Sequence, residues 1–359
     1  MDNMFDLSML ALKAIAPNNE VLYDDVGLPS FMVRIPKMTY AELGLGESTD
    51  VFPAFIVNGS VVEEIYISKY QNCVYNGRAY SLPARAPQTS INLETAISRC
   101  SAKGAGWHVM TKMEHALLML WCEKNGFMPI GNNNYGKHSS ETLYKALPAN
   151  SDADHFRVKT LTGTGPLTWY HDNSLGGIAD LCGNVWEWSG GVRTVYGELQ
   201  ILVNNNAADT SHSQTADSAE WRAIDAATGE LITPDGTGTT EGSVKMDWVN
   251  SHLQYSTTIT TQAAQSRSCT LASITCDETI GTAAQLLLKT LCMLPLSTTI
   301  LGASHLCYFN NGEAERCFSC GGYYNNSANG ACSFSGNSAR SNSSGSIGFR
   351  SAFVKLPTA

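Results

Sequence analysis

The chain of 359 residues is poor in charge: only 15% of its residues are Asp, Glu, Lys or Arg, against about 25% in an average globular protein. Basic residues are the scarcer sign, 23 against 32 acidic ones, for a formal net charge of −9. Binding a phosphate backbone needs clustered cations, so nucleic acid is not an expected partner. Nor does any uncharged apolar run approach the roughly 18 residues of a membrane span. The longest candidates, Ala116–Cys122 and Leu286–Leu296, fall well short, and membrane insertion is not expected. The opening Met1-Asp-Asn-Met-Phe-Asp carries acid where a secretory signal carries base, which predicts a short amphipathic helix and synthesis in the cytoplasm. No Gly-x-Gly-x-x-Gly or phosphate-loop string stands between a strand and a helix, and no His-Glu-x-x-His pair occurs. Nucleotide binding and metalloprotease chemistry therefore lack their usual residues. No internal repeat of 20–50 residues is visible.

What the chain has in quantity is apolar residues (43%), glycine (31) and cysteine (11). The cysteine number is odd and the chain is large, so free thiols are expected and not a disulfide framework. The length admits one elaborated domain or two.

Residues 1–50 form a lead segment without a chemical motif, in which Phe31–Pro36 alternates like a strand. Asn58-Gly59 between β-rich stretches marks a hairpin, because both residues tolerate positive φ. Leu93, Ala96, Ile97 and Cys100 recur at helical spacing behind Asn92 as cap. Thr111-Lys-Met-Glu114 is a capping box that opens a second helix ending near Asn125-Gly126. Thereafter short β-like runs dominate until a helical pattern at 283–293. These features predict an α+β fold with two early helices packed on antiparallel sheet. Residues 192–300 differ in texture from their surroundings and read as a long irregular or β insertion.

From Gly302 to Arg350, half of the 49 residues are Asn, Ser or Gly, yet Cys307, Tyr308, Phe309, Cys317, Phe318, Cys320, Tyr323, Tyr324, Cys332 and Phe334 are threaded through them. A solvated linker would avoid such residues. Tyr with Ser, Gly and Asn is the palette of an adaptable binding surface, rigid area from the rings and hydrogen bonds from the small polar groups. The segment closes on Ile347-Gly-Phe-Arg-Ser-Ala-Phe-Val-Lys355, a strand able to anchor what precedes it.

The string Asp180-Leu-Cys-Gly-Asn-Val-Trp-Glu-Trp188, with Glu64–Tyr70, Gly106–Glu114 and the ending Gly348-Phe-Arg350, resembles the formylglycine-generating enzymes and their relatives, a branch of the C-type lectin fold. The likeness extends over about 51–190 and 300–355. Within that branch the C-terminal stretch is similar to the variable proteins of diversity-generating retroelements, in which template adenines are randomised and Asn codons are favoured targets. Such codons yield Asn, Ser, Gly, Tyr, Cys, Phe, His or Arg, among others, but never Lys, Met, Gln, Glu or Trp. Residues 305–346 lack Lys, Met, Gln and Trp; Glu313 and Glu315 lie outside that repertoire and are assigned to fixed scaffold.

The resemblance implies a C-type-lectin-like ligand-binding domain over 51–359, with its variable region at about 305–346. It also implies a display function, binding a protein or surface receptor on a bacterial cell as a phage tropism determinant does. The expected location is then a tail-fibre tip, or alternatively the bacterial surface, and a trimer is plausible from phage relatives. The contact positions expected are Tyr308, Phe309, Asn310, Cys317, Phe318, Cys320, Tyr323, Tyr324, Ser333, Ser335 and Asn337. No catalytic residue and no required cofactor is implied; a structural Ca²⁺ is, at Asp180 and Glu187 with the carbonyls of Gly183 and Val185. The residues also allow a reading without metal, in which Trp186 and Trp188 anchor the core while Asn184 and Glu187 bond loop backbone. Two alternatives accompany this reading. A cysteine oxidase of the formylglycine type needs a copper-binding cysteine pair spaced five apart, and the matching positions are Ser327 and Cys332, a single cysteine. A calcium-dependent lectin needs a Glu-Pro-Asn or Gln-Pro-Asp loop, which is absent. Cys317-x-x-Cys320 lacks a second ligand pair for zinc, and His108 and His115 read as packing or surface residues.

Overall fold

A computed structural model describes residues 7–149 and 159–356. The described residues form an α+β fold with four helices: α1 (Leu7–Ile15), α2 (Leu93–Ser101), α3 (Lys112–Lys124) and α4 (Thr282–Thr290). The expected N-terminal helix is thus present from Leu7, and residues 1–6 of that expectation lie outside the described residues. The principal strands are β1 (Asn19–Tyr23), β2 (Pro29–Pro36), β3 (Glu64–Ser68), β4 (Trp107–Val109), β5 (Trp186–Val195), β6 (Glu198–Ile201), β7 (Lys245–Val249), β8 (His252–Ser256), β9 (Arg267–Thr270), β10 (Leu306–Phe309), β11 (Arg316–Cys320), β12 (Phe334–Ser338), β13 (Ile347–Phe349) and β14 (Ser351–Phe353).

Local chemistry accounts for the early elements. Asn58 and Gly59 take φ of +53° and +70° between two short paired strands, the left-handed pair that a tight hairpin needs. Asn92 Oδ1 accepts the Thr95 amide at 2.8 Å and starts α2. At α3 both halves of the capping box form: Thr111 Oγ1 accepts the Glu114 amide (3.1 Å) and Glu114 Oε2 accepts the Thr111 amide (2.9 Å). Residues 112–120 of α3 are all buried, which explains a run too apolar to show one wet face.

Two large sheets carry the rest. A five-stranded sheet has the order β1-β2-β3-β14-β4, so the lead segment supplies two of its strands. A twelve-stranded sheet runs β9-β10-β12-β11-β5-β6-β7-β8, extended by the short strands Thr275–Cys276, Arg222–Ile224 and Leu231–Ile232 and by β13 beside β5. The segment 192–300 therefore widens this sheet and adds α4. Trp221–Gly236, which reads as paired strands in the sequence, supplies the antiparallel pair Arg222–Ile224 and Leu231–Ile232.

The chain end joins the two sheets. Strand β13 pairs in parallel with β5, Ile347 opposite Trp186 and Phe349 opposite Trp188. One residue later β14 pairs with β3 and β4 of the other sheet, Ala352 opposite Ile67 and His108. Arg350 is the crossing residue. Gly348 is needed where it stands, since a Cβ there would come within 2.4 Å of the Gln88 carbonyl oxygen.

Candidate ligand-binding cavity and the hub beside it

Strand β5 alternates: Trp186 and Glu187 point to opposite faces, and each organises a different site. On one face, Trp186 stands with Tyr308 of β10 at 6.0 Å and 85°, and with Tyr323 at 6.4 Å and 24°. These three rings wall an open cavity of about 350 Å³, completed by Ser266, Ser319, Asn326, Ser335, Asn337, Ser338, Asn342, Ser344, Ser346 and Ile347. No side chain in that lining carries a charge. Its polar groups are arranged by mutual bonds. Tyr308 Oη accepts from Asn326 Nδ2 (2.6 Å) and Asn329 Nδ2 (3.3 Å), and Asn337 Nδ2 donates to Ser266 Oγ at 2.7 Å. Asn342 Nδ2 donates to Ser338 Oγ at 3.0 Å. Burial also pushes the Tyr308 phenol above its ordinary value, so the lining stays uncharged. Asn337 Oδ1 is buried without a hydrogen-bond partner in the protein, an acceptor left for something else.

The Tyr323–Tyr324 loop is pinned from behind. The Tyr324 carbonyl accepts the Tyr135 amide at 2.7 Å, and the Tyr324 amide donates to the Asn184 carbonyl at 3.2 Å. Beside the cavity, Glu315 receives Arg340 through Nε (3.0 Å) and Nη2 (2.8 Å), and Arg193 through Nη1 (3.0 Å). Although burial opposes it, these guanidiniums hold the Glu315 carboxyl below its usual range. Arg193 in turn lies 4.5 Å from the Trp221 ring, tying the 192–300 segment to the C-terminal window.

Of the expected contact residues, Tyr308, Tyr323, Ser335 and Asn337 line this cavity. Tyr324 is half-buried beside Tyr323 and Tyr135, with ring centroids 5.5 and 5.9 Å away. The other six are interior, a correction to the sequence reading. Cys317, Phe318 and Cys320 belong to β11, which lies between β5 and β12 and is covered on both faces: Cys317 packs into one core cluster and Phe318 and Cys320 into another, as strand alternation requires, with a bulge against β5 between Cys317 and Phe318. Phe309 packs on Trp248 at 5.6 Å. Asn310 and Ser333 serve turns, accepting the amides of Gly312 (3.1 Å) and Gly330 (3.0 Å). A polar-aromatic composition marks both a face and the core that mounts it, and spacing alone does not separate them. Trp186 is likewise more than a core anchor, and Ser266, contributed from 192–300, had no sequence signal.

The four cysteines of the window, like the other described cysteines, are free, and Cys307, Cys317, Cys320 and Cys332 are all buried. Burial pushes the Cys317 thiol up to about 12, the opposite of an activated nucleophile. The Cys332 thiol donates to Met128 Sδ at 3.7 Å, and Cys292, 40 positions upstream, is also a buried free thiol. Ser327, the other position expected for the oxidase pair, is exposed. His108 is buried between Glu114 Oε1 (2.8 Å) and the Gly106 carbonyl (2.9 Å), and His115 is buried against the Ala331 carbonyl (3.1 Å). Both are packing residues.

On the opposite face of β5, Glu187 is buried against Arg350. Arg350 Nε meets Oε2 and Nη2 meets Oε1, both at 2.8 Å, while its remaining N–H groups reach the carbonyls of Ser68 (2.7 Å) and Ala179 (2.9 Å). This is a bidentate pair whose leftover donors are satisfied. Gln71, which sequence reasoning passed over, completes the hub. Its Nε2 faces the carbonyl oxygens of Asp180 (3.2 Å), Gly183 (3.3 Å) and Val185 (3.3 Å) and Glu187 Oε1 (3.0 Å).

The four residues expected to hold calcium are therefore together, but their arrangement does not fit a cation. The Glu187 carboxylate is already matched by Arg350, the Asp180 carboxylate turns away to accept the Gly163 amide at 2.8 Å, and an N–H₂ group stands among the converging oxygens. Gly183, at φ +75°, permits the turn: a Cβ would lie 2.1 Å from the Asn132 carbonyl oxygen. Among the described residues no group of three or more His, Cys, Asp or Glu side chains is placed to hold a metal, and no helix is long and apolar enough to cross a membrane. No protein-family model and no curated protein matches the chain.

Proposed function

We propose that this chain is a ligand-binding display protein, a C-type-lectin-like domain of the formylglycine-generating type. In this reading, the cavity walled by Trp186, Tyr308 and Tyr323 is its receptor-binding face. The observation that carries the proposal is the cavity itself, three aromatic rings around an uncharged hydroxyl and amide lining drawn almost entirely from residues 305–346. The fold reading is supported by the way Gly348-Phe-Arg350 links β13, beside Trp186–Trp188, to β14 in the other sheet. Strand pairing and buried core hold the backbone of the window, while half-exposed Tyr308, Tyr323, Asn326, Asn337, Ser338 and Asn342, with the buried Ser319 and Ser335, form most of the lining. Substitution there changes chemistry without unfolding the mount. Such a division suits a diversified phage tropism determinant at a tail-fibre tip, meeting a receptor on a bacterial cell, with trimeric assembly as in phage relatives.

Retention of the fluorescently labelled protein on a panel of intact bacterial cells tests the binding reading: a Tyr308→Ala, Tyr323→Ala double variant that stays folded should lose whichever retention the wild type shows. Equal retention removes the cavity from the function. The DNA beside the gene tests the tropism reading separately. A near-duplicate of the segment encoding residues 305–346, differing at adenines and adjacent to a reverse transcriptase gene, is expected; its absence leaves a binding protein without a diversification system.

A further inference from the structure

The hub on the far face of β5 carries an inference that does not depend on what the cavity binds. Four oxygens from one turn, the carbonyls of Asp180, Gly183 and Val185 and the Oε1 of Glu187, converge on a single atom, Gln71 Nε2, at 3.0 to 3.3 Å. A primary amide has two hydrogens to give, so four acceptors around its nitrogen exceed its donors. Convergence of that kind is how a chain surrounds a cation. The separations are nevertheless those of N–H···O contacts and longer than the 2.3–2.6 Å of a calcium–oxygen bond. The amide orientation is fixed independently: Gln71 Oε1 accepts from Asn184 Nδ2 at 2.9 Å, and the reversed amide would set its oxygen against four others. Charge leads to the same conclusion. A divalent ion needs uncompensated negative charge, and here the one carboxylate facing the centre is neutralised by Arg350. An ion added beside that guanidinium would meet repulsion.

We infer that the Gln71 carboxamide is an uncharged, built-in replacement for a structural divalent cation at the Asp180–Glu187 turn. It ties the early strand region to the loop that positions Trp186, and it does so without calcium. The protein therefore keeps its shape, and Trp186 its place in the cavity wall, in media where free calcium is absent.

Thermal unfolding of the intact protein in 5 mM EDTA and in 5 mM CaCl₂ tests this, with terbium luminescence sensitised by Trp186 and Trp188 as the binding readout. The wild type should show the same Tm in both buffers and no sensitised emission. Gln71→Ala removes the donor and leaves the oxygens facing each other; it should melt lower than the wild type, and equally so in both buffers, because no charge has been added for an ion to meet. Gln71→Glu keeps the length and adds the missing charge; it should bind terbium and melt higher in calcium than in EDTA, as expected when an ion binds only the folded state. A wild type that gains Tm with calcium, or a Gln71→Glu protein that responds to neither calcium nor terbium, overturns the inference.

Discussion

The indole of Trp186 and the ring of Tyr323 lie 6.4 Å apart and are inclined by 24°, so a scaffold strand and the C-terminal window share one aromatic surface. The contact is lopsided. Trp186 is packed from behind by Ile347 and Phe349 in a buried cluster, whereas Tyr323 only leans on that cluster and is half-exposed.

That asymmetry separates binding from stability. Tyr323→Ala should reduce retention on receptor-bearing cells at least tenfold, as expected when a central aromatic anchor is truncated. The stability cost should stay near the roughly 0.5–1.5 kcal/mol of an aromatic pair. Tyr308→Phe keeps the ring but deletes the oxygen that receives Asn326 and Asn329, so it should loosen the 326–329 loop and lower affinity less. Thermal melts run beside the cell-retention assay check both. A Tyr323→Ala protein with normal retention would show that the shared surface is not the docking face.

Residues of the same window should divide sharply when truncated. Phe318 is fully buried and packed against Phe334, ring centroids 6.0 Å apart and tilted by 49°, so Phe318→Ala should cost roughly 3–5 kcal/mol. Asn342→Ala, at the cavity rim, should cost under about 0.5 kcal/mol. Urea unfolding midpoints decide: equal costs would mean that β11 is not the buried strand described above.

Much of this was legible before any coordinates. Caps announce themselves locally, so Asn92, Thr111–Glu114 and Asn58-Gly59 fixed α2, α3 and the first hairpin by chemistry spanning four residues or fewer. That rings and small polar side chains would share a region was legible too, in Tyr set among Ser, Gly and Asn. Which of those residues face outward was not, because burial depends on β11 being flanked by β5 and β12, partners more than 100 residues and about 15 residues away. Gln71 escaped for the same reason. Its meaning comes from oxygens 109 to 116 positions along the chain, and a lone glutamine after a strand carries no local mark.

Arg350 should not tolerate lysine. The fork meets both oxygens of Glu187 and two carbonyls besides, with neither side chain more than 5% exposed. An ammonium cannot reproduce two parallel N–H···O bonds, and loss of one partner strands a buried charge at roughly 3–5 kcal/mol. Arg350→Lys should therefore lower the unfolding free energy by a few kcal/mol, and Arg350→Ala by more. Chemical denaturation of the two variants measures this, and a lysine variant as stable as the wild type would reduce the pair to simple charge balance.

Acid should destabilise the fold through buried imidazoles. Burial holds His115 and His171 well below the usual imidazole value of 6.5, and His171 Nδ1 accepts the Ile178 amide at 2.8 Å, which only a neutral ring can do. The unfolded chain takes up these protons below about pH 6.5 and the folded chain does not. Their contribution is therefore complete above pH 6.5 and is lost as pH falls toward 4, at up to roughly 1.4 kcal/mol per pH unit for each ring. His108 opposes the trend: despite burial, Glu114 raises its value, so it contributes most below pH 6.5. Burial lowers His138 and His305 as well, and on the other side raises Asp180 to about 6, so four lowered imidazoles stand against His108 and Asp180 and urea midpoints should fall between pH 7 and 5.5. In His171→Asn, where an amide oxygen can accept from Ile178 without titrating, they should fall less steeply. Identical slopes in the two proteins would show that His171 is not held neutral by its surroundings.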